Sequence, residues 1–329
     1  MIWIDDLIHL EPDYLARRFR PADQGLAYHD LARALSKAKP ETRAHLLAHL
    51  APSIREALTA AEDGLDPGAP DALLDSQMRL IGTYFWEIVY RKEAEIYDVF
   101  SRSQEFPFRE LFPAKDYAGK VVVDLGCGTG KLAGYLQPLA REVIGVDPAE
   151  PLLGIARERY AGRPNSRFVQ GSFDAIPLPT GSVDAIVSNM AFQHAEERGG
   201  DRGLAEMLRV LRPGGRMAIV VAHATTQKFL IARGFAERAV PGRLRWREPE
   251  CCSPLLTMLY ALSRDLENAA PEEAVEQRPA FLFAPDGWRP AWTHRCLAEL
   301  ARGRPVGELF HRGDPFAPIA VPVYERREA

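Results

Sequence analysis

The chain has 329 residues, of which 45 are acidic and 41 basic, so its net charge is −4 at neutral pH. That length can bury a large core, and 47% hydrophobic with 26% charged residues is ordinary for a globular protein. The near balance of charge excludes a general electrostatic footprint for nucleic acid, which is therefore not an expected partner.

Targeting and redox signals are weak. No window approaches the roughly 18 uncharged apolar residues of a membrane helix, and Asp5 and Asp6 interrupt the first apolar stretch, which disfavours a signal peptide. Cys251 and Cys252 could pair only as a strained ring, and the four cysteines show no metal-ligand spacing. We expect a cytoplasmic protein without a metal or a membrane partner, and the pattern carries no signal of oligomeric state.

The N-terminal part, residues 1–110, is predicted to be a helical extension because its leucines recur at helical spacing. A stretch rich in Gly, Pro and Asp at 62–71 predicts a loop, and a second helical stretch runs from about 72 to 100. This second stretch is dense in aromatic residues, which at helical spacing form core more often than a substrate cage. They are Tyr84, Phe85, Trp86, Tyr90, Tyr97 and Phe100.

Short apolar runs then alternate with helix-like stretches over residues 111–223. The runs lie at 121–125, 143–146, 168–169, 185–187 and 217–222. Strands that alternate with helices predict an α/β fold, in which right-handed crossovers cover both faces of a parallel sheet.

The C-terminal part is predicted to add a helical insertion at 224–310, after the fifth strand, and a last strand within 311–329. Pro322 favours an exposed or irregular stretch of that strand. The insertion begins with four arginines, for which a solvated face is a commoner explanation than an anion site. They are Arg238, Arg243, Arg245 and Arg247.

A glycine loop follows the first predicted strand of this region. Gly126, Gly128 and Gly130 let the backbone approach a ligand closely, and the following helix start offers free N–H groups. The spacing is G-x-G-x-G, with Lys131 next, and it differs from the G-x-G-x-x-G of dinucleotide folds. The loop alone indicates a ligand without identifying it.

Two carboxylates accompany the loop. Asp147 ends the second strand about 20 residues after Gly126, where an acidic side chain can accept ribose hydroxyls. Asp124 lies just before the loop and suits a ligand with an ammonium group better than a pyrophosphate. The alternative is that Asp124 caps the turn that follows.

Four segments in this order resemble the motifs of class I S-adenosylmethionine-dependent methyltransferases, over roughly residues 115–223. They are VVVDLGCGTGKL, VIGVDPAEPLL, FVQGSFDAIPLPTGSVDAIVSNMAFQH and AEMLRVLRPGGRMAIV. The sequence is most similar to the group that modifies small molecules, such as quinone and biotin-precursor methyltransferases. The resemblance implies a Rossmann-like, mostly parallel seven-stranded sheet with helices on both faces, S-adenosylmethionine as cofactor and S-adenosylhomocysteine as product.

The resemblance also implies a cofactor site, residue by residue. The methionine part would contact Asp124, Gly126 and Gly128, and Cys127 lies in the same loop and is not expected to be a nucleophile. The family more often has aspartate where this chain has Ser172, for which Asp174 could substitute. The remaining implied contacts are Asp147 with the ribose, Pro148, Ser172, Phe173 and Asp174 around the adenine, Asn189 and Met190 near the sulfonium, and Tyr97 on a helix that covers the cofactor.

The methyl acceptor must approach the sulfonium methyl in line, at about 3 Å, and a base is needed only if the acceptor must lose a proton early. His194 and His223 are candidate bases because each follows a strand end expected to face the crevice; lining the pocket or packing a turn is the commoner role. We predict a closed pocket that Tyr90, Tyr97 and both histidines line, roofed by the N-terminal part and residues 224–310.

The leading hypothesis is methyl transfer to an O, N or C nucleophile of a small molecule, with secondary metabolism as one setting. The first alternative is a protein or nucleic-acid methyltransferase, against which stand the lack of an N-P-P-Y-like motif after the fourth strand and of a strongly basic face. The second alternative is a protein that binds the cofactor for other chemistry.

Overall fold

The computed structural model describes residues 4–65, 70–193, 199–222, 224–247 and 318–327. The chain forms two compact units. In the described residues, the first unit comprises the chain up to Tyr97, and the second comprises Asp98 to residue 247 together with 318–327. No helix in these ranges is both long and apolar enough to cross a membrane.

The first unit is helical, as predicted. Proline at the start of four of its helices is favourable because the first helical N–H has no partner within the helix. Its core contains Leu31, Leu35, Leu46 and Ile54. Its elements are 3₁₀ turns at Ile4–His9 and Ala22–Gln24 and helices α1 (Pro12–Arg17), α2 (Tyr28–Leu35), α3 (Pro40–His49), α4 (Pro52–Asp63), α5 (Pro70–Lys92) and α6 (Ala94–Ser103), the last of which continues into the second unit.

The aromatic residues of α5 and α6 divide into two groups. Tyr84 is fully buried, and its ring stacks on Phe19 with the ring centroids 4.3 Å apart. Trp86, Tyr90 and Tyr97 are only partly buried, and the Tyr90 ring lies 4.8 Å from that of Tyr97 and 6.0 Å from that of Trp86. The core prediction therefore holds for Tyr84, whereas these three rings form a partly exposed cluster.

The second unit is built on the predicted seven-stranded, mostly parallel sheet. Its first five strands in the chain are β2 (Val121–Leu125), β3 (Glu142–Asp147), β4 (Ser166–Gln170), β5 (Val183–Asn189) and β6 (Leu211–Val220), after a short β1 (Gln104–Glu105) that lies outside this sheet. Later in the chain follow β7 (Ala236–Arg238), β8 (Arg243–Trp246), β9 (Ile319–Ala320) and β10 (Val323–Arg327). The order is β4-β3-β2-β5-β6-β10-β7, with β10 antiparallel to both neighbours. The Rossmann-like prediction is confirmed.

Alternate residues of β2 enter different cores. Val121, Val123 and Leu125 belong to one buried cluster, and Val122 belongs to another. Successive side chains of a strand point to opposite faces, so both faces of the sheet are covered. The helices of the second unit are α7 (Phe108–Leu111), α8 (Lys131–Leu136), α9 (Glu150–Arg159), α10 (Gly200–Val210) and α11 (Ala224–Ala232), with a 3₁₀ turn at Ala114–Asp116.

The predicted insertion differs from expectation in its described part. Only α11 is helical between residues 224 and 247; β7 joins the main sheet, and β8 pairs with β1 and β9 in a small antiparallel sheet. Leu244 is buried between exposed Arg243 and Arg245, a period of two that the sequence prediction missed because the strand has only four residues. Residues 248–310, the rest of the predicted insertion, lie outside the described residues.

The boundary between units also falls earlier than residue 110. The second unit begins at Asp98, because β1 and the end of α6 bond to this unit: Gln104 pairs with Trp246, and the Arg247 N–H donates to the Ser103 carbonyl at 2.7 Å. The last strand is interrupted at Pro322, which lies between β9 and β10 and belongs to neither.

Two of the four arginines at the start of the insertion, Arg238 and Arg247, make contacts within the second unit. Arg238 bonds to the carboxylate of Glu325 at 2.9 Å and to the carbonyl of Leu111 at 2.8 Å, and Arg247 pairs with Glu105. Arg243 and Arg245 are exposed, and the solvated face and the anion site both stay predictions.

Candidate functional site

The carboxyl ends of the first four parallel strands of the main sheet meet at one edge. In the pairing register, Leu125 of β2 lies beside Val146 of β3, and Asp147 lies beside Gln170 of β4. In open α/β sheets, ligands bind in the crevice outside this edge. The loops that follow β2, β3, β4 and β5 carry most of the predicted cofactor residues.

The glycine loop between β2 and α8 has a backbone that only glycine adopts easily. Gly126, Gly128 and Gly130 have φ angles of 75°, 52° and 82°. The N–H of Gly126 donates to the Val146 carbonyl at 2.7 Å. A Cβ atom at residue 126 would lie 2.3 Å from the Cβ of Ala191, so this glycine also permits close approach of the loop after β5.

Asp147 braces the glycine loop. One of its carboxylate oxygens accepts the N–H of Gly128 at 2.9 Å, and the other accepts the N–H of Ala149 at 2.9 Å. The side chain is buried, so these bonds compensate for its loss of water. A carboxylate oxygen has two lone pairs, so the predicted ribose contact is compatible with both bonds and stays a prediction.

Asp124 is buried at the end of β2, and one of its oxygens accepts the N–H of Ala133 in the first turn of α8 at 3.0 Å. The capping role left open by the sequence is therefore present. Burial raises the pKa of Asp124 to about 7, despite the lowering effect of the Ala133 N–H, and the charge of Asp147 raises it further. A cation beside Asp124 would stabilise its ionised form. The predicted contact with the ammonium group of the ligand would supply that cation.

This environment predicts a pH dependence of cofactor binding. Below pH 7 the Asp124 carboxyl is protonated and neutral, so affinity for a ligand ammonium should fall as the pH falls through 7. Between pH 8 and pH 6 we expect about a tenfold loss of S-adenosylhomocysteine affinity by calorimetry. Asp124→Asn, which keeps an oxygen for Ala133, should bind weakly with little dependence on pH. If the affinity of Asp124→Asn depends on pH as strongly as that of the wild type, the ammonium contact is refuted.

The loop after β4 forms a tight local turn. Ser172 and Ala175 exchange backbone hydrogen bonds, and the Ser172 hydroxyl donates to the Asp174 carboxylate at 2.7 Å. Asp174 is thus held by the residue for which it was predicted to substitute. The Phe173 ring packs on that of Phe192 with the ring centroids 4.9 Å apart.

Pro148, predicted to lie beside the adenine, is held from the neighbouring strand. The side-chain amide of Gln170 donates to its carbonyl at 3.0 Å. Cys127 is buried, and burial raises the pKa of its thiol well above the ordinary value, which fits the expectation that it is not a nucleophile.

The end of β5 carries two further signs of a binding site. Among the described residues, the side-chain oxygen of Asn189 is buried and has no hydrogen-bond partner. Met190 has a φ of 58°, although its N–H donates to the Val220 carbonyl at 2.8 Å. A non-glycine residue in this region carries strain that is common at functional sites.

Of the four residues predicted for the acceptor side, the structure describes only Tyr90 and Tyr97. His194 and His223 lie outside the described residues. Tyr90 and Tyr97 lie in the first unit, in the aromatic cluster with Trp86. The predicted roles of all four residues stay predictions.

Sequence reasoning missed a set of polar residues around the glycine loop. Thr129 within the loop bonds to Asp98 on α6 and, through its carbonyl, to Arg159 on α9. Lys131, noted in the sequence only for its position, donates to the Ser101 carbonyl at 2.6 Å. The only available signal was the presence of polar side chains next to two predicted site residues, Tyr97 and Gly128.

Comparisons with known proteins agree with this geometry. Residues 122–215 match the methyltransferase domain family. A protein of Geobacillus kaustophilus named only as a methyltransferase is 31% identical over 137 residues, which are 39% of this chain and 63% of that protein.

Two further relatives have names that state an acceptor. The malonyl-[acyl-carrier protein] O-methyltransferase of Methylococcus capsulatus is 42% identical over 124 residues, or 37% of this chain and 43% of that protein. The demethylmenaquinone methyltransferase of Thermus thermophilus is 37% identical over 110 residues, or 32% of this chain and 49% of that protein.

The chain therefore spans between 43% and 63% of the length of these three relatives. The glycine loop and the strands β2 to β5 that form the candidate site lie almost entirely within the residues of the family match. Over residues 122–215 the chain therefore matches a methyltransferase domain and resembles the class I S-adenosylmethionine-dependent methyltransferases.

Proposed function

We propose that the chain transfers the methyl group of S-adenosylmethionine to an O, N or C nucleophile of a small molecule. The observation that carries the proposal is the coincidence of the methyltransferase match at 122–215 with a ligand-ready edge of the sheet. The names of the two relatives with stated acceptors, a malonyl group on acyl carrier protein and demethylmenaquinone, support an acceptor of small organic character.

The residues of the edge fit this cofactor. Asp124 offers a buried carboxylate for the ammonium, and Asp147 offers lone pairs for the ribose hydroxyls. The oxygen of Asn189 lacks a partner within the described ranges and is an acceptor for a polar group of the ligand. At Gly128 of the glycine loop, an added Cβ would meet no protein atom within 4 Å, so the loop backbone is open to a ligand there.

The bound cofactor would supply a methyl group that is already activated by the sulfonium. The protein's part is then to hold the cofactor, to orient the acceptor in line and to exclude water. We propose His194 or His223 as the base for an acceptor that must lose a proton, and Tyr90 and Tyr97 as residues that shape the acceptor side.

Two alternative functions can be distinguished from this one by experiment. A protein or nucleic-acid methyltransferase would place the methyl group on a macromolecule, and a protein with other chemistry would bind the cofactor without transfer. Incubation with methyl-labelled S-adenosylmethionine and separate panels of small molecules, acyl carrier protein conjugates, peptides and RNA distinguishes them.

We expect the label in a small molecule or a carried acyl group, together with release of S-adenosylhomocysteine. Replacement of Tyr90, His194 or His223 by alanine should lower kcat on that acceptor more than it lowers cofactor affinity. The matched control is His29→Ala, since His29 is a largely exposed histidine of the first unit. Label found only in peptides or RNA would contradict the proposal. A wild-type kcat in all three variants would also contradict it.

A further inference from the structure

A buried side-chain network holds the glycine loop at Thr129. The Thr129 hydroxyl donates to one oxygen of Asp98 on α6 at 2.5 Å, and Arg159 on α9 donates to the other oxygen at 2.6 Å. Arg159 also donates to the Thr129 carbonyl at 2.8 Å. The side chain and the backbone of one loop residue are therefore both tied to elements outside the loop.

Asp98 remains a charged acceptor in this setting. Burial raises the pKa of its carboxyl, but the hydrogen bonds from Arg159 and Thr129 and the charges of Arg159 and Arg102 outweigh burial and hold the pKa below its usual range. Bonds to a charged acceptor are shorter and stronger than neutral ones. The Arg102 contact, at 2.9 Å, is largely solvent-exposed and contributes less.

Lys131 makes a second attachment on the other side of Gly130. Its ammonium donates to the carbonyls of Ser101 and Gln104 and lies 5.3 Å from the centre of the Phe106 ring. Residues 98–105 are thus bonded to the chain immediately before and immediately after Gly130, whose φ of 82° completes the loop. The backbone at Gly130 therefore has little freedom to change its conformation, because the residues on both sides of it are bonded to residues 98–105.

We propose that Asp98 is a positioning residue for the cofactor site: through Thr129 it fixes the glycine loop, so that order in residues 98–105 and binding of S-adenosylmethionine are coupled. The inference rests on the proposed function. Coupling is reciprocal, so the cofactor should also stabilise residues 98–105, and loosening these residues should weaken cofactor binding.

Calorimetry of S-adenosylhomocysteine with four variants of the full chain tests this role. Thr129→Val removes the hydroxyl at constant shape, and Asp98→Asn removes the charge; each should weaken the affinity about tenfold. The double variant should be no weaker than the worse single one, because both changes break the same bond. Thr129→Ser keeps a hydroxyl and should restore affinity to within about threefold of the wild type.

The matched control is Asp116→Asn, which breaks a half-buried pair of the same unit, with 2.6 Å between Asp116 and Arg216, away from the glycine loop. It should lower the thermal midpoint without changing affinity. Wild-type affinity in folded Thr129→Val and Asp98→Asn would overturn the inference and leave the proposed function intact. If the wild type binds neither S-adenosylmethionine nor its product, the proposed function fails and the inference with it.

Hydrogen exchange of the wild-type chain gives a second readout that needs no variant. The backbone amides of residues 98–105 should exchange more slowly when S-adenosylhomocysteine is added, in parallel with those of the glycine loop. Slower exchange in the loop alone would overturn the coupling.

Discussion

Replacing Gly126 with alanine is expected to weaken binding of S-adenosylmethionine more than a hundredfold. The new Cβ would lie 2.3 Å from the Cβ of Ala191, and the φ of 75° is unfavourable for any residue with a side chain. Left-handed strain of roughly 1–2 kcal/mol adds to an overlap of roughly 1–3 kcal/mol, so the backbone must move. A loss of about 3 kcal/mol in cofactor affinity corresponds to more than a hundredfold.

Two other glycines calibrate this result. Gly128→Ala meets no neighbour within 4 Å and carries only the strain of a φ of 52°, so it should show a smaller loss. Gly154 lies exposed within α9 with open space around its added Cβ, and Gly154→Ala should bind normally and be about 0.5–1 kcal/mol more stable. Calorimetry with thermal unfolding checks all three. Normal binding by folded Gly126→Ala would contradict the role of the loop.

Asp147→Ala should weaken cofactor binding by about 1.5–3 kcal/mol, which is tenfold to more than a hundredfold. The change removes the predicted ribose acceptor and also frees the N–H groups of Gly128 and Ala149. Asp147→Asn should also bind weakly, because its amide presents a donor where the carboxylate has only acceptors. Titration of S-adenosylhomocysteine into each variant measures the effect.

A second aspartate separates binding from stability. Asp184 accepts the Val121 N–H at 2.8 Å and pairs with Arg212 at 2.6 Å. These contacts lie at the amino ends of β2 and β5, whereas the candidate site lies at their carboxyl ends. Asp184→Ala should therefore destabilise the fold without altering cofactor affinity. If Asp184→Ala and Asp147→Ala weaken binding equally, the ribose assignment of Asp147 is wrong.

The long buried strands were predictable from sequence because burial on both faces demands an unbroken apolar run. The first three residues of β2, Val121–Val123, form such a run, and its position before the glycine loop also located the carboxyl edge of the sheet. Strands β7 and β8 were not predicted, because three or four residues are too few to give a periodic signal, and about half of the residues in each strand are charged.

The candidate site shows a similar division. The position of Asp147 beside the loop follows from the strand order, whereas the capping bond of Asp124 depends on where α8 begins. The bond between Asp98 and Thr129 joins residues of different elements, and no local pattern encodes such a contact. The fold and the loop positions are local properties of the sequence, and this network is a property of the assembled unit.

The most direct test of the account is a calorimetric titration of the wild-type chain with S-adenosylmethionine, S-adenosylhomocysteine and NAD under the same conditions. The glycine spacing and the ammonium-suited Asp124 predict saturable binding of both sulfur compounds at micromolar strength, about −8 kcal/mol, and no comparable binding of NAD. Tighter binding of NAD, or no binding of either sulfur compound by the folded chain, would contradict the central claim.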